Sequence, residues 1–516
     1  MTAGQKQAFV PSFSAQPIWD HARRDPGRVA VADSNSSLSY EDLRDDVARL
    51  ALALRESGIR PGEPVLVLLD VCVESVIAYW ALRSIDAVVV VGDPTCKDDE
   101  LAYYLSATGA RRIVAGVRAA QALSAPQGTA WHVLEDNTGA LRRWSLDRES
   151  DPVPAHSPRD LGEDASVILF SSGTTGRPKA ILHTTESLRG LHETLIHTWK
   201  LGPEDRVLGA LPFHTIYGLV FSAASSIYAG ASLILLEKFH PERALRAIEA
   251  HRITTAAFVP TMALMILNFD GREDHDLGSL RAVYTASAPI SELDIERFAA
   301  FSGTSLIANY GLSEIPGAAV ERADVPHFPG SVGRISPGFE VCVRDPSGAP
   351  LAIGETGEVT MRGLSLMKGY LGAPEQTAER IRDGWIYSQD IGRVDELGNI
   401  FLSGRASEMI IRGGLNISPR EVETALSKHA DVLDVAVIGL DDPIFGQIVL
   451  AVVVPRRAAE EERMRGVLLE HCRTQLPPAK VPTRIEFMDE LPRNAGGKVL
   501  RKELQQFVAD QESKGA

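Results

Sequence analysis

Amphipathic helical segments alternate with short, wholly apolar runs in two parts of the sequence, and this alternation constrains the fold more than any other feature. Within residues 38–91, one helical segment carries apolar residues three or four positions apart, at Leu43, Val47, Leu50 and Leu54. Ser39 and Asp42 have the spacing of a capping box at its start, and Gly58 marks its end. The runs PVLVLLD and AVVVV that follow are typical of buried parallel strands. Because the pattern recurs over residues 206–310, we predict an α/β fold of helix-covered sheets.

The predicted pattern of secondary structure changes near residue 330 and again near residue 405. Short strands punctuated by glycine and proline turns come first, as in GSVGRISPGFEVCV, and indicate a small antiparallel sheet or barrel. From about residue 405, helix and strand patterns alternate again and predict a separate α+β lobe. A chain of 516 residues also exceeds what one hydrophobic core organises. We therefore predict a large N-terminal domain over residues 1–405, with a small β-rich subdomain at about 330–404, and a small C-terminal domain over residues 408–516.

The net charge of −15 argues against non-specific binding to nucleic acid or to anionic membranes. The longest apolar runs are far too short to cross a bilayer, and the first residues lack the basic and apolar regions of a secretory signal. The 4 cysteines lie far apart without a CxxC pair, which disfavours a zinc knuckle and a disulfide framework. We expect a cytoplasmic protein, monomer or homodimer, whose partners are small molecules.

The segment SSGTTGRPK, residues 171–179, is the strongest indication of chemistry in the chain. It follows the apolar strand ASVILF and concentrates the groups that a phosphate needs: backbone N–H groups turned outward at glycines, hydroxyl donors and a lysine charge. These groups belong to Ser171, Ser172, Gly173, Thr174, Thr175, Gly176 and Lys179. The glycine spacing differs from that of a Walker A loop. The alternative interpretation is a polar surface turn, which most clusters of this composition are.

The loop resembles the signature loop of the adenylate-forming superfamily, which comprises acyl-CoA synthetases, peptide-synthetase adenylation domains and firefly-type luciferases. Further motifs extend the resemblance over residues 20–510 and are most like those of acyl-CoA ligases. The resemblance implies an α/β fold, with a large N-terminal domain of αβ-layered subdomains and a small β-barrel, followed by a mobile α+β lid. It also implies that ATP, Mg²⁺ and CoA bind, and that an acyl-adenylate passes its acyl group to a thiol.

The segment LPFHTIYGL, residues 211–219, resembles the part of the family that borders the carboxylate pocket, and places Phe213 and His214 there. Taken alone, His214 would be a structural histidine; the resemblance makes it a candidate catalytic residue. The residues expected to line the acyl pocket are mixed in character and include no charged selector: Phe213, His214, Tyr217, Pro260, Ser287, Ala308 and Gly311. This composition favours a bulky apolar or aromatic acid over acetate or an amino acid.

Two segments, TASAPI and ANYGLSE, resemble the family's nucleotide-binding motifs, with a serine replacing a glycine in the first. The resemblance assigns the adenine and the α-phosphate to residues of these segments: Ser287, Ala288, Pro289, Asn309, Tyr310, Gly311 and Ser313. Glu314, with Thr174 from the loop, is implied to hold Mg²⁺, a hard cation that prefers oxygen ligands. Outside this ordered set of motifs, Glu314 would be a surface carboxylate.

The stretch GWIYSQDIGRVDELGNIFLSGR resembles a family segment that places Asp390 on the ribose hydroxyls and Arg405 beside the ribose and phosphate as a permanently charged donor. The alternatives are an exposed turn aspartate and a surface ion pair. Relatives have TGD where this chain has Ser388-Gln389-Asp390. We hypothesise that Gln389 crowds the nucleotide, so that the enzyme would accept a preformed acyl-adenylate and catalyse mainly thioesterification.

Beyond the ribose motif, the resemblance implies a hinge at residues 406–407, centred on Ser407. RGGLNISPREVE resembles the acyl-CoA ligase form of the next loop, in which Gly413 and Gly414 would line a pantetheine tunnel; a plain β-turn explains the glycines equally well. Phe445 lies where some ligases stack an aromatic ring on the CoA adenine. LPRNAGGKVLR resembles the segment of the family's mobile lysine and makes Lys498 the catalytic residue of adenylation.

Two further alternatives stay open at this point. The acyl group could be loaded onto the phosphopantetheine of a carrier protein, in which case activity would require that protein. The chain could also be a non-catalytic, ligand-binding relative. The joint presence of Lys179, Glu314, Asp390, Arg405 and Lys498 argues against the second alternative, because a binding-only protein has no use for a mobile lysine.

Overall fold

The structure is a computed structural model and describes residues 9–124, 126–134, 144–149, 161–171, 178–322, 325, 327–457, 460–493 and 499–515. Four β-sheets lie within these ranges. The first has eight strands in the spatial order Gly369–Tyr370, Lys179–Thr184, Ala165–Ser171, Val88–Gly92, Pro64–Leu68, Arg112–Gly116, Ala130–Leu134 and Trp144–Glu149. Its central strands are parallel, as the apolar runs predict.

The second sheet has nine strands, and the parallel strands of residues 206–310 lie at its centre. Its spatial order is Arg334–Ile335, Ile315–Val320, Leu306–Leu312, Ala282–Thr285, Thr255–Phe258, Arg206–Gly209, Ser232–Leu235, Val29–Ala32 and Ser37–Ser39. The largest core cluster joins residues of both large sheets with the helices between them. The helix Val73–Ser84 is buried along its whole length, as expected for a helix packed on several sides.

The α-helices of the N-terminal region cover these sheets: Gln16–Arg24, Tyr40–Glu56, Val73–Ser84, Asp98–Thr108, Val117–Ala122, Thr185–Thr198, Ser225–Ala229, Pro241–His251, Pro260–Leu267, Glu292–Ser302 and Pro374–Arg380. Short 3₁₀ turns lie at Phe13–Ala15, Arg272–Asp274, Ala406–Glu408 and Pro478–Lys480. The predicted capping box is confirmed, because Ser39 and Asp42 exchange hydrogen bonds at the start of Tyr40–Glu56.

The remaining two sheets form the small β-rich subdomain and the C-terminal domain. The subdomain sheet is antiparallel and contains Phe339–Arg344, Gly357–Gly363, Ile381–Arg382, Trp385–Val394 and Ile400–Arg405. The C-terminal sheet contains Ile410–Arg412, Leu415–Ile417, Val432–Asp442, Gly446–Pro455 and Arg484–Phe487, with helices Pro419–Ser427, Glu461–Gln475 and Arg501–Gly515. The C-terminal lobe has its own hydrophobic cores. Across the described part of the chain, no helix combines the length and hydropathy that spanning a bilayer requires.

Candidate active site

The candidate site lies at one edge of the nine-stranded sheet. Four neighbouring strands, Arg206–Gly209, Thr255–Phe258, Ala282–Thr285 and Leu306–Leu312, run parallel. The segments assigned from sequence lie at or just beyond their carboxyl ends: residues 211–219, Pro260, Ser287 to Pro289, and Ala308 to Ser313. Because the carboxyl ends of parallel strands share one edge, this arrangement brings together motifs that are a hundred residues apart in sequence.

Tyr310, Asp390 and Arg405 form a polar cluster in which Tyr310 and Asp390 are buried and Arg405 is partly exposed. The hydroxyl of Tyr310 donates a hydrogen bond to Oδ2 of Asp390 at 2.7 Å, and Nε of Arg405 lies 3.1 Å from Oδ1. Burial and the nearby charge of Asp390 raise the pKa of Tyr310 well above its ordinary value, so the phenol remains a donor. The structure therefore brings Tyr310, which is expected to contact the adenine, together with Asp390 and Arg405, which are both expected to contact the ribose. Asp390 is 6% exposed, which contradicts the alternative of an exposed turn aspartate.

A second polar cluster surrounds Glu314. This residue is 9% exposed, and its carboxylate accepts a hydrogen bond from the hydroxyl of Tyr370 at 2.6 Å. Nζ of Lys179 lies 4.7 Å from the centroid of the same aromatic ring, which is a cation–π distance. Tyr370 therefore joins the candidate magnesium ligand to the lysine of the phosphate loop. Glu314 is not the solvated surface carboxylate that the alternative interpretation requires.

The protein ligands available around Glu314 fit a metal ion that enters the site together with the substrate of the enzyme. Within the described ranges, no three His, Cys, Asp or Glu side chains are close enough to hold a metal ion. Mg²⁺ usually binds through one or two carboxylates, and phosphate oxygens and water complete its coordination. The single carboxylate of Glu314 suits that arrangement.

Two contacts that no motif revealed hold the site residues in place. One comes from a histidine and the other from a tryptophan. Nε2 of His183 lies 2.8 Å from the main-chain oxygen of Ser313; a carbonyl only accepts, so this nitrogen carries the proton. Burial lowers the pKa of His183 to about 4, and the ring is neutral. The indole N–H of Trp199 donates to Oδ1 of Asn309 at 3.3 Å. These contacts cross more than a hundred residues of sequence, so no local pattern signals them.

The predicted acyl segment folds into a turn followed by a π-helix, Ile216–Ala224. π-Helical turns are frequent at functional sites. Phe213 and Tyr217 are buried, and the hydroxyl of Tyr217 donates to a main-chain carbonyl at 3.2 Å. Nε2 of His214 lies 3.8 Å from Oδ2 of Asp93. A carboxylate from a distant loop is therefore close to the ring of the candidate catalytic histidine.

Two family models match the sequence of this chain. The model of AMP-binding enzymes matches residues 18–371, and that of the AMP-binding enzyme C-terminal domain matches residues 421–498. The chain belongs to the AMP-binding enzyme family. It is 35% identical to a feruloyl-CoA synthase of Amycolatopsis, over 94% of this chain and 96% of that protein. It is 30% identical to a long-chain-fatty-acid–CoA ligase of Bacillus subtilis, over 96% and 94% of the two chains.

Solved structures agree with this assignment. ATP-bound MatB from Rhodopseudomonas palustris matches the fold with a TM-score of 0.84 and 28% identity, covering 96% of this chain and 98% of that one. The predicted resemblance to adenylate-forming enzymes is confirmed, and so is the predicted α/β fold with a large N-terminal and a smaller C-terminal domain.

Two positions at which the family pattern has glycine carry side chains in this AMP-binding enzyme. Ser287 has φ +78° and Gln389 has φ +62°, a left-handed conformation that residues other than glycine adopt at a cost. The side chain of Gln389 is exposed, and its main-chain N–H donates to Oε1 of Glu358 at 2.9 Å. At Gly311, by contrast, an added Cβ would come within 2.8 Å of neighbouring backbone, so only glycine fits.

The two glycines of the candidate CoA loop form the turn of a β-hairpin. Gly413 and Gly414 have φ +57° and +83° and connect the paired strands Ile410–Arg412 and Leu415–Ile417, the conformation of a two-residue type I′ turn. The N–H of Gly413 donates to the main-chain oxygen of Phe445 at 2.7 Å. The turn alternative therefore explains both glycines, and the turn also places them beside Phe445. Their role towards CoA stays a prediction.

Six assigned residues lie outside the described residues: Ser172, Gly173, Thr174, Thr175, Gly176 and Lys498. The two ends of the phosphate loop are described, and Ser171 pairs with Lys179 across adjacent antiparallel strands. These strands bring the ends of the loop together, as a compact phosphate-binding turn requires.

The predicted hinge is linked to the helix that follows Lys498. Ser407 lies in the 3₁₀ turn Ala406–Glu408. Arg501 donates hydrogen bonds to Glu408 at 3.1 Å and to Glu423 at 3.0 Å. Arg501, three positions after the candidate catalytic lysine, therefore connects the start of the C-terminal helix to the turn in which the hinge is predicted.

Proposed function

We propose that this AMP-binding enzyme activates a carboxylic acid with ATP and transfers the acyl group to the thiol of CoA. The observation that carries the proposal is the polar cluster of Tyr310, Asp390 and Arg405. A second cluster, in which Glu314 and Lys179 meet around Tyr370, supports it. The two relatives described above are named as a CoA synthase and a CoA ligase, which favours CoA as the acceptor.

In the first half-reaction, a carboxylate oxygen of the acid attacks the α-phosphorus of ATP, and pyrophosphate leaves. Fixed donors and charges stabilise the negative charge that develops on the phosphate oxygens. Asp390 accepts from the ribose hydroxyls, while Arg405 compensates its charge at 3.1 Å. Lys179 and Lys498 supply positive charge at the phosphates. Mg²⁺, held by Glu314 when bound, would neutralise part of the charge on the leaving pyrophosphate.

In the second half-reaction, the thiol of CoA attacks the carbonyl carbon of the mixed anhydride, and AMP leaves. Lys498 has to withdraw, and rotation about residues 406–407 would replace it with another face of the C-terminal domain. We propose that the hairpin turn at Gly413 and Gly414 lies on that face. The guanidinium of Arg412 is 5.3 Å from the ring centroid of Phe445, and this pair suits the phosphates and the adenine of CoA.

We propose a bulky apolar or aromatic acid as the substrate. Phe213 and Tyr217 are buried aromatic residues near the carboxyl ends of the parallel strands, and none of the residues assigned to the acyl pocket is a lysine, arginine or carboxylate. An amino acid or a dicarboxylic acid would require such a charged partner. The relative with 35% identity is named for an aromatic acyl group.

The proposal is tested by measuring AMP and acyl-CoA formation by the full chain with ATP, Mg²⁺, CoA and a panel of acids. Formation of both products from a free acid is the expected result. Thioester formed only from supplied acyl-adenylate would replace the proposal with the thioesterification-only alternative. Activity only with an added carrier protein would replace CoA as the acceptor, and ligand binding without turnover would contradict enzymatic function.

Replacing Gln389 with glycine is expected to speed adenylate formation and to stabilise the fold. Glycine adopts φ +62° without strain, so the free energy of unfolding should rise by about 1 kcal/mol. Removal of the side chain should raise the rate of pyrophosphate exchange into ATP by about 10-fold, the equivalent of ~1.4 kcal/mol in the barrier. Thioester formation from supplied adenylate should not change.

The matched control for this experiment is Asp383→Gly. Asp383 also has a left-handed backbone, with φ +49°, and is exposed in a hairpin turn that precedes Trp385–Val394. The control should gain stability without gaining exchange activity. Rapid exchange by the wild type with its true acid, unchanged in Gln389→Gly, would contradict the hypothesis that Gln389 obstructs the nucleotide.

Replacing Glu408 with glutamine is expected to separate the two half-reactions. The change weakens one of the ion pairs of Arg501 without altering side-chain volume, and the Lys498 segment loses part of its support. Pyrophosphate exchange should fall by about 10-fold, while thioester formation from supplied adenylate stays within about 2-fold. Glu421→Gln, which removes an exposed ion pair with Lys480 in the same domain, is the control and should leave both rates unchanged. A parallel loss of both half-reactions would show a general structural role instead.

A further inference from the structure

Arg380 is an arginine near the candidate site that none of the sequence motifs includes. It ends the helix Pro374–Arg380, which packs against the strand Gly369–Tyr370. In this contact, Oγ1 of Thr377 accepts from the main-chain N–H of Tyr370 at 2.9 Å. Residues three positions apart lie on the same face of a helix, so Arg380 shares the face of Thr377. The helix therefore places Arg380 beside Tyr370.

The guanidinium of Arg380 has no ion-pair partner within the described ranges. Its Nε and Nη1 atoms are buried there without any hydrogen-bond acceptor. Nη2 is not one of these buried atoms, and the residue is partly exposed. Two carboxylates of the same helix, those of Glu375 and Glu379, are exposed and do not pair with it. A guanidinium that is partly withdrawn from water is costly unless an anion compensates its charge.

The charge of Arg380 acts on the polar cluster around Tyr370. Burial and the charge of Glu314 raise the pKa of Tyr370, whereas the charge of Arg380 acts in the opposite direction, so the guanidinium is close to this side chain. The hydroxyl of Tyr370 donates to Glu314 at 2.6 Å, and Nζ of Lys179 lies 4.7 Å from the ring centroid. Two cations therefore stand against the single carboxylate of Glu314. The cluster has an excess of positive charge, which favours an anionic ligand.

The excess charge lies at the end of the phosphate loop. The strand Gly369–Tyr370 pairs with the strand Lys179–Thr184, and Tyr370 lies opposite Ile181. Lys179 is the first residue of its strand and the last residue of the segment SSGTTGRPK. Lys179 and Arg380 are far apart in sequence, but the pairing of these strands brings both of them to Tyr370. Arg380 is therefore positioned to act on the same phosphates as the loop.

We propose that Arg380 supplies positive charge to the β- and γ-phosphates of ATP and to the pyrophosphate that leaves. This role deepens the proposed first half-reaction and rests on it. In that step, the bond between the α-phosphorus and the bridging oxygen breaks, and its electron pair stays on the pyrophosphate oxygen. A guanidinium keeps its charge and offers several donors in one plane, which suits phosphate oxygens. Lys498 would act at the reacting α-phosphate, and Arg380 at the leaving group.

Calorimetric titration of the full chain with ATP, pyrophosphate and AMP tests the proposal without an acid or CoA. Each ligand is titrated in the presence of Mg²⁺. In Arg380→Met, the Kd values for ATP and pyrophosphate are expected to rise by about 10-fold, because a charge at the outer phosphates is lost. The Kd for AMP should stay within about 2-fold, since AMP lacks these phosphates. Arg380→Lys keeps the charge and should recover part of the lost affinity.

The matched control is Arg382→Met, which removes the same type of side chain two residues further along. Arg382 is exposed, and its guanidinium lies 4.4 Å from the ring centroid of Tyr387. All three affinities should match those of the wild type. Unchanged binding of ATP and pyrophosphate by Arg380→Met would overturn the role of Arg380, and so would an equal loss of AMP affinity. A wild type that binds AMP but neither ATP nor pyrophosphate would contradict the proposed function, and this role with it.

A crystal structure of the wild type with pyrophosphate and Mg²⁺ provides a readout that needs no variant. It decides the question if Arg380→Met does not fold. A phosphate oxygen that accepts from Nη2 of Arg380, directly or through one water, is the expected result. Pyrophosphate bound with other side chains between it and the guanidinium would overturn the proposal.

Discussion

Replacing Lys498 with alanine is expected to lower the rate of adenylate formation by about 100- to 1,000-fold, because the substitution removes a positive charge that the proposed mechanism requires at the reacting phosphate. Thioester formation from supplied acyl-adenylate should stay within about 2-fold of the wild type, because the proposed mechanism withdraws the lysine from the site before that step. Pyrophosphate exchange and single-turnover thioester formation measure the two rates separately.

The control for this substitution is Lys502→Ala. Lys502 is an exposed lysine in the adjoining helix Arg501–Gly515 and makes no contribution to the proposed mechanism. Both half-reactions should be unaffected in the control. If Lys498→Ala reduces both half-reactions equally, the lysine supports the fold or binds the adenylate, and its assignment to the first step is wrong. In that case, the contact between Arg501 and Glu408 would have no specific effect on adenylate formation.

The fold was largely predictable because its signals are local and periodic. The apolar runs at residues 64–68 and 88–92 are buried on both faces, as parallel strands between helices must be. Ser39 and Asp42 form the capping box that their spacing indicates. The order of strands was not predictable in the same way. The nine-stranded sheet places Val29–Ala32 beside Ser232–Leu235, a pairing across two hundred residues that no local pattern encodes.

The candidate site was predictable to the extent that its residues lie in contiguous motifs. Asp390 and Arg405 belong to one recognisable stretch, and the structure pairs them. Tyr370 was missed, although its hydroxyl holds Glu314, because its position follows from the pairing of Gly369–Tyr370 with a distant strand. The same is true of His183, whose role depends on a single hydrogen bond to Ser313. Supporting contacts of this kind depend on tertiary structure, so sequence motifs do not reveal them.

Replacing Glu314 with glutamine is expected to lower adenylate formation by about 100-fold at saturating ATP and to raise the Mg²⁺ concentration needed for half-maximal rate. Glutamine retains an oxygen that accepts from the hydroxyl of Tyr370, now 2.6 Å from the carboxylate, so the free energy of unfolding should change by less than about 1 kcal/mol. The loss of charge removes the hard anionic oxygen that a magnesium ion prefers. A magnesium titration of pyrophosphate exchange, with thermal unfolding in parallel, provides the measurement.

Tyr370→Phe tests the effect of the position of the Glu314 carboxylate separately from the effect of its charge. The variant loses the hydrogen bond that orients Glu314 but keeps the aromatic ring beneath Lys179, whose Nζ lies 4.7 Å from the ring centroid. We expect a fall in adenylate formation of about 5-fold with an unchanged magnesium requirement, since the anionic ligand is still present. If Glu314→Gln and Tyr370→Phe shift the magnesium requirement equally, the geometry of the carboxylate decides metal binding. If neither shifts it, Glu314 is not a magnesium ligand, and its buried carboxylate serves only to hold Tyr370 against the phosphate loop.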